Sequence, residues 1–273
     1  MGAFISVFLG TVMGEPIQSP EAQGLLFLRL SQLITTIFWL LIPAFLYIIL
    51  FHGDWASYLK LNKKQSVLWI VLAVVLVIAI QPAVGFTAFL NEQIVFPEAM
   101  KGIESTFKEW RESSERLIEK LLVDNSLSGI ISNVFIIAVL AAFVEEVFFR
   151  GCLQQIVQRI VNNKHIAVWV TAIIFSAVHL DFYGFLPRVL LGAMLGYLFV
   201  WSRNLWIPII VHFVNNLLSI IVQQIYYGNR ELGKPESFNM QDDLVYLGLS
   251  LIFTTLIVYV LVKKSKREVE RLG

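Results

Sequence analysis

The chain has 273 residues, of which 57% are hydrophobic and 15% are charged. Soluble domains carry about 25% charged residues, so this composition excludes an ordinary soluble protein and predicts an integral membrane protein. The 21 basic and 20 acidic residues give a net charge of +1, which leaves no basic surface for phosphates and excludes nucleic-acid binding.

Seven apolar runs are candidate membrane-spanning helices, since a crossing takes about 20 mostly apolar residues. Residues 1–13 are also apolar, but they are short for a crossing and lack the basic start of a secretory signal peptide. They could form a short eighth span. The sequence therefore predicts an all-α polytopic membrane bundle of 7–8 transmembrane helices. The seven runs cover residues 25–51, 67–90, 128–153, 166–180, 187–201, 205–226 and 244–262.

Segment 92–122 differs from the spans, because its apolar residues recur at helical spacing with charged residues between them. The pattern predicts an amphipathic helix along the outer membrane surface. The alternative is a small capping helix packed on the ends of the bundle, and both interpretations stay open. The apolar positions are Met100, Ile103, Phe107, Trp110, Leu117 and Leu121.

Lysine and arginine residues next to the spans predict the orientation, because loops that carry them resist translocation. They follow the first, third, fifth and last spans, which all end on the same side of the membrane. We therefore expect a bacterial-type plasma-membrane protein with a cytoplasmic C-terminus. The residues are Lys60, Lys63, Lys64, Arg159, Lys164, Arg203, Lys263, Lys264, Lys266 and Arg267.

Ionisable side chains inside a span cost at least about 2.5 kcal/mol each, so those that occur are usually paired and functional. Glu146 and Arg150 are four residues apart and can form an ion pair on one helix face. Glu145 points about 100° away from that face. An unpaired, desolvated carboxylate is suited to act as a general base, whereas the pair alone can be a helix-packing device.

Two further polar patterns repeat the four-residue spacing. Phe175 and His179 share one helix face, and His212 and Asn216 share another, while Asn215 points elsewhere. A single intramembrane histidine is often only a hydrogen-bonded packing residue, and a His–Asn pair can be a polar contact between helices. Each pattern by itself therefore leaves a structural and a functional interpretation open.

The depth of these polar side chains within the membrane favours the functional interpretation. At 1.5 Å per residue, Glu145 and His179 each lie roughly 20 Å from the basic face, and His212 and Asn216 lie roughly 14 to 20 Å from it. The four side chains can then share one cavity, which must contain water to be tolerated inside the membrane. Water, a base and hydrogen-bond donors together make a hydrolytic site.

A metal site is the alternative use of the same residues. Cys152 is the single cysteine, so a metal would have to sit on His, Glu or Asp, and the set is Glu145, His179 and His212. Against zinc, the chain has no HExxH motif, and a deeply buried site is expected to offer few outer groups to orient the imidazoles. We predict a mechanism without a cofactor and keep Zn²⁺ as the alternative.

Two further predictions concern the helix that follows His179. Gly192 and Gly196 form a GxxxG pattern that predicts the close approach of two helices. Arg188 is expected to pair with Asp181 or to reach the interface, and the segment from Asp181 onward can rim the cavity.

The motifs Glu145-Glu146-x-x-x-Arg150, Phe175-x-x-x-His179 and His212-x-x-x-Asn216 resemble, as an ordered set in separate spans, those of the CPBP (CAAX protease and bacteriocin-processing) intramembrane proteases. The resemblance covers roughly residues 130–222 and implies an eight-helix fold that hydrolyses peptide bonds inside the membrane. It divides the chain into N-terminal spans with the amphipathic segment at 1–126, a catalytic core at 127–226, and a last span with a basic tail at 227–273.

The family resemblance also implies roles for the polar residues. Glu145 would activate the water, and His179 would position or share its proton. His212 and Asn216 would donate hydrogen bonds to the oxyanion. Glu146 and Arg150, with Phe175 beside them, would hold the helix, and Arg150 could bind a substrate carboxylate.

The substrate does not follow from the resemblance, because the family includes CAAX prenyl proteases, bacteriocin-processing proteins and lysostaphin-resistance proteins. We expect a glutamate-type or metallo-type endopeptidase whose partners are the lipid bilayer and a membrane-associated protein or peptide, either prenylated or unprenylated. The alternatives are a non-catalytic immunity or scaffold protein and, less favoured, a proton-coupled transporter. Transport is less favoured because the spans show no inverted repeat.

Overall fold

The computed structural model describes residues 24–228, 238–239 and 242–271, and these residues are helical, without a β-strand among them. The N-terminal run 1–13, the candidate eighth span, lies outside the described residues. The longer helices are α1 (Leu25–Phe51), α2 (Val67–Glu92), α3 (Lys101–Leu122), α4 (Leu127–Val161), α5 (Lys164–Ala177), α6 (Phe185–Ser202), α7 (Trp206–Gly228) and α8 (Leu244–Glu270).

Within the described residues, six helices are long and apolar enough to cross a membrane, namely α1, α2, α4, α6, α7 and α8. Large apolar side chains point outward from them, as at Leu26 and Leu50, which are 70% and 73% exposed. Such a surface suits lipid, where a helix satisfies its own backbone hydrogen bonds. The all-α polytopic membrane bundle is confirmed.

The remaining predicted span, residues 166–180, corresponds to α5, which has only 14 residues. This helix ends at Ala177 because the chain turns there, and Leu180 adopts a left-handed conformation with φ of 54°. At 1.5 Å per residue α5 rises about 21 Å, less than the roughly 30 Å of a hydrocarbon core. The turn leaves His179 just beyond the end of the helix.

Helix α4 is irregular around its acidic pair. Two π-helical stretches, Val134–Leu140 and Val147–Leu153, lie on either side of the α-helical segment Ala141–Glu146. Wider π turns are rare in proteins and are often found at functional sites. Glu145 and Glu146 are therefore carried by a short regular segment between two widened turns.

The two glycines of the GxxxG pattern bring α6 close to both α4 and α5. A Cβ atom on Gly192 would lie 3.2 Å from the Cβ of Ala172, and one on Gly196 would lie 2.8 Å from Oε1 of Gln154. The buried carbonyl of Gly192 accepts a hydrogen bond from Arg150 Nη2 at 2.9 Å, and that of Gly196 accepts one from Gln154 Nε2 at 3.2 Å. The glycines permit a close helix approach, as their spacing predicts.

Helix α3 packs on one end of the bundle with its C-terminal half, and its N-terminal half turns an apolar stripe outward. It thus caps the bundle and also offers apolar side chains to the surroundings. The buried residues are Leu117, Leu121 and Leu122, and the exposed ones are Met100, Ile103 and Trp110.

The basic residues that follow the spans gather at the other end. Arg159 Nη1 lies 3.3 Å from Nε2 of His52, so the end of α4 meets the end of α1. Lys63, Arg203 and Arg271 line one pocket at the start of α2 and the ends of α6 and α8. The bundle therefore has a basic end, which includes the end of α8, and an opposite end covered by α3.

Candidate active site

The first element of the site is a fully buried ion pair on α4. Nη1 of Arg150 lies 2.7 Å from Oε1 of Glu146, and both side chains are 0% exposed. The guanidinium also lies 4.7 Å from the centre of the Phe175 ring, a cation–π contact. Together with the bond to the Gly192 carbonyl, these contacts fix the pair and attach α4 to α5 and α6.

His212 of α7 lies between the two glutamates. Its Nδ1 is 2.8 Å from Oε1 of Glu146. An ionised carboxylate can only accept a hydrogen bond, so Nδ1 carries the proton in that contact. The other ring nitrogen, Nε2, lies 3.8 Å from Oε2 of Glu145.

His179 is oriented by the end of α5. Its main-chain N–H bonds to the Ser176 carbonyl, so the Phe175 carbonyl loses its usual helical donor. The Nδ1–H of His179 donates to the Phe175 carbonyl instead, at 2.7 Å. The other ring nitrogen, Nε2, then lies 4.0 Å from Oε2 of Glu145. The rings of Phe175 and His179 are also in contact, with centroids 4.9 Å apart, although the helix ends between the two residues.

One cavity of about 570 Å³ contains Glu145, His179, His212 and Asn216 in its lining. Both imidazoles turn Nε2 towards the same carboxylate oxygen, and each is anchored through Nδ1. The cavity extends from these side chains towards the end of the bundle covered by α3, where Glu92 and Arg111 also line it. The four predicted residues therefore meet in one polar cavity.

The two neighbouring asparagines of α7 have different surroundings. Asn216 lines the cavity and donates through Nδ2 to the Ile137 carbonyl at 3.2 Å, which lies in a π-helical stretch of α4. Asn215 accepts from Gln81 Nε2 at 3.2 Å and is absent from the described lining of the cavity. The structure thus places Asn215 away from the site, as its position on the helix predicts.

Three of the predicted site residues do not line the cavity. Glu146 and Arg150 are 0% exposed, and Phe175 is 4% exposed behind the two imidazoles. The structure therefore does not bring Arg150 into reach of a substrate carboxylate in the cavity. The reason is that its guanidinium is already engaged by Glu146 and the Gly192 carbonyl.

The mouth of the cavity contains charged residues that the motifs do not indicate. Arg111 of α3 bonds to Glu92 at 3.1 Å and to Glu115 at 3.0 Å, and it lies over the Tyr183 ring at 5.2 Å. The only signal in the sequence for these residues is the polar face of segment 92–122.

Asp181 and Arg188 close a second ion pair at the rim, with Nη2 2.7 Å from Oδ2, as predicted. Burial raises the pKa of Asp181, but the Arg188 guanidinium and its hydrogen bond outweigh that effect, and the pKa lies below its usual value. The turn that follows His179 therefore rims the cavity as an ionised pair.

Among the described residues, no three His, Cys, Asp or Glu side chains form a group that could hold a metal ion. The set named for zinc, Glu145, His179 and His212, is nevertheless the one that converges in the cavity. The expectation that few outer groups would orient the imidazoles is wrong. The Phe175 carbonyl orients His179, and the Glu146 carboxylate orients His212.

Comparison with known proteins gives one family and one relative. Residues 127–218 match the family described as type II CAAX prenyl endopeptidase Rce1-like, which confirms the resemblance to the CPBP proteases. The chain is also similar to the "Uncharacterized protein YpbD" of Bacillus subtilis (strain 168), at 31% identity over 88 residues. That similarity covers 31% of this chain and 42% of YpbD, so the chain spans less than half of the relative that it matches. No solved structure matches the chain.

Proposed function

We propose that this integral membrane protein, which carries an Rce1-like domain at residues 127–218, is an intramembrane endopeptidase acting on a membrane-associated protein or peptide. One observation carries the proposal. The Glu145 carboxylate and the Nε2 atoms of two anchored imidazoles converge on one cavity within the helix bundle. A base with two oriented partners is what the hydrolysis of a peptide bond requires.

Glu145 is proposed to be the base that activates water. Its Oε2 is 4.0 Å from Nε2 of His179 and 3.8 Å from Nε2 of His212. These separations are too long for direct hydrogen bonds and suit a bridging water molecule. The Glu145 carboxylate would take a proton from that water molecule as the water oxygen attacks the peptide carbonyl carbon. His179 would position the water or share the proton.

His212 and Asn216 are proposed to stabilise the oxyanion. Since Nδ1–H of His212 is directed at Glu146, donation through Nε2 requires the doubly protonated imidazolium. When Glu145 is ionised as the proposed base, Glu145 and Glu146 carry two negative charges and Arg150 one positive charge, and a proton on His212 would make the cluster neutral. A neutral cluster avoids the cost of an uncompensated buried charge.

Asn216 supplies the second donor. One N–H of its amide is bonded to the Ile137 carbonyl, which leaves the other N–H for the cavity. Removing one oxyanion donor typically costs about 2.7 to 4 kcal/mol of transition-state stabilisation. Glu146, Arg150 and Phe175 act through these groups as positioning residues.

The direction of substrate entry follows from the orientation that we propose. With the C-terminus in the cytoplasm, the end of α8 marks the cytoplasmic face, and the cavity extends towards the opposite face, below α3. A substrate would then approach from the outer face or laterally from the bilayer. Reporter fusions at the C-terminus and in the segment before α3 test this orientation, which is wrong if the C-terminal reporter is active outside the cytoplasm.

The deciding experiment is cleavage of a panel of prenylated and unprenylated peptides by full-length protein in lipid nanodiscs, followed by mass spectrometry. Wild type is compared with Glu145→Gln, which keeps the shape and removes the base, and with Glu98→Gln, an exposed carboxylate outside the cavity lining, as the matched control. We expect the first variant to lose about 10²- to 10⁴-fold in rate and the control to retain most activity.

Other results would contradict the proposal. Cleavage by Glu145→Gln at the wild-type rate would show that another group is the base. If folded wild type cleaves no peptide and Glu145→Gln keeps the cellular phenotype, the chain is a binding protein of the immunity or scaffold type. Proton-coupled flux through liposomes without a cleaved product would indicate a transporter.

A further inference from the structure

A second cavity, of about 290 Å³, lies at the basic end of the bundle, where α2 begins and where α6 and α8 end. It shares no lining residue with the active-site cavity. Four basic residues from three separate segments line it: Lys63, Lys64, Arg203 and Arg271.

The walls of this basic pocket are fixed by hydrogen bonds between the three segments. Nε1 of the fully buried Trp69 lies 2.9 Å from Oε1 of Glu268, which fixes the end of α8 beside the start of α2. Ser265 donates to the Trp201 carbonyl at 2.7 Å, and Gln65 donates to the Ser202 carbonyl at 2.6 Å. The basic residues are therefore carried on segments that these hydrogen bonds hold together.

The positive charge in the basic pocket is not balanced by acidic residues. Within the described part of the chain, none of the four basic side chains forms an ion pair, and Glu268, the one carboxylate in the lining, is engaged by Trp69 and Lys264. The positive charges also act on the neighbouring Lys60. Burial lowers the pKa of Lys60, and the charges of Lys63 and Arg203 lower it further.

The basic pocket lies next to lipid-facing surface. Val67 and Leu68, the first residues of α2, are 73% and 52% exposed, and Tyr259 of α8 is 62% exposed. Lys63 and Lys64 shortly precede Val67, at the end of this apolar surface, where phospholipid headgroups are expected to meet the hydrocarbon core. Ser66, which precedes α2, does not cap the helix with its side chain, so the first-turn N–H groups add partial positive charge there.

We propose that the basic pocket binds the phosphate group of an anionic phospholipid. This site is independent of the peptidase proposal. Basic residues that only orient the protein need not converge, whereas these line one concave surface with fixed walls and uncompensated charge. A phosphodiester whose headgroup carries no compensating positive charge fits this chemistry, because lysine and arginine donors neutralise it and the adjoining apolar surface accommodates its acyl chains.

The test measures lipid binding to full-length protein in detergent by native mass spectrometry, with phosphatidylglycerol compared with phosphatidylcholine. The pocket variant combines Lys63→Gln, Lys64→Gln, Arg203→Gln and Arg271→Gln. The matched control removes four charges from the same end outside the pocket, through Lys164→Gln, Lys263→Gln, Lys266→Gln and Arg267→Gln. We expect the pocket variant to lose about tenfold or more in affinity for phosphatidylglycerol and the control to lose much less.

Each other outcome overturns the proposal. Equal losses in the two variants would indicate general surface charge rather than a site, and equal binding of both lipids by wild type would indicate no selectivity for anionic lipid. If glycerol 3-phosphate or inorganic phosphate competes as strongly as the lipid, the ligand is a soluble phosphate. A Lys63→Arg/Lys64→Arg variant, which keeps the charge, checks folding and should bind like wild type.

Discussion

Nδ1 of His179 lies 2.7 Å from the main-chain oxygen of Phe175, at the point where α5 ends. A helix end leaves carbonyls without donors, and here a side chain supplies the missing donor. The same contact fixes which ring nitrogen faces the cavity. The local termination of one helix therefore determines how a proposed catalytic imidazole is presented to Glu145.

This relationship predicts different effects for two substitutions of His179. Asparagine places its amide near the position of Nδ1, and glutamine places its amide near Nε2. We expect His179→Asn to keep thermal stability close to wild type, because the Phe175 carbonyl retains a donor, while the cleavage rate falls about 10²-fold or more. His179→Gln should melt lower and keep more activity, and the reverse ranking of the two melting temperatures would contradict this assignment.

Breaking the buried ion pair on α4 should destabilise the protein strongly. Arg150→Met leaves the Glu146 carboxylate buried without its guanidinium, and the loss of one partner of such a pair costs about 3 to 5 kcal/mol. Thermal unfolding in detergent measures the effect. The double variant Glu146→Gln/Arg150→Met removes both charges and should recover part of the stability but not the activity, since His212 loses its carboxylate partner.

The adjacent asparagines of α7 provide a matched pair. Asn216→Ala removes the proposed oxyanion donor, and we expect kcat to fall about 10²- to 10³-fold with little change in KM. Asn215→Ala removes only the contact with Gln81 and should leave kcat close to wild type. Similar kcat losses in both variants would show that the amide at 216 acts through packing instead.

Asn91 should control the order of the turn after His179. This 1% exposed residue of α2 donates to the Phe182 carbonyl at 2.8 Å and accepts from the Leu186 main-chain N–H at 2.9 Å. Asn91→Ala leaves both main-chain groups without that partner, at a cost of about 1 to 3 kcal/mol each. We expect faster hydrogen exchange in residues 180–187; unchanged exchange would show that the turn is fixed by other contacts.

The proposed mechanism assigns the activation of water to Glu145 without a metal. Activity of purified protein should then survive chelator treatment, and metal analysis should find no stoichiometric zinc. Stoichiometric zinc whose removal abolishes cleavage and whose return restores it would establish the metallo-type alternative at Glu145, His179 and His212.

The helices and the clustering of polar residues could be predicted from the sequence because each depends on short-range spacing. Lipid requires long apolar helices, and counting 1.5 Å per residue from the basic face places Glu145, His179, His212 and Asn216 at similar depths, where they can share a cavity. Other features depend on residues that are far apart along the chain. Gln154 meets Gly196 across 42 positions, and Arg111 meets Glu92 across 19, so neither contact has a local signal. The π-helical turns of α4 were likewise not predicted from the sequence.

The two sides of the active-site cavity differ in how firmly they are held. On one side, Arg150 and Gln154 bond to the carbonyls of Gly192 and Gly196, and sliding α4 past α6 would break both buried bonds together. On the other side, the first half of α3 is attached to α2 at the mouth through the Arg111–Glu92 ion pair, whose side chains are 39% and 36% exposed, so that salt screens it. The cavity thus has a back wall held by buried bonds between α4 and α6 and a mouth held by an exposed ion pair. We expect a polypeptide that enters as proposed to displace the first half of α3 before it separates α4 from α6.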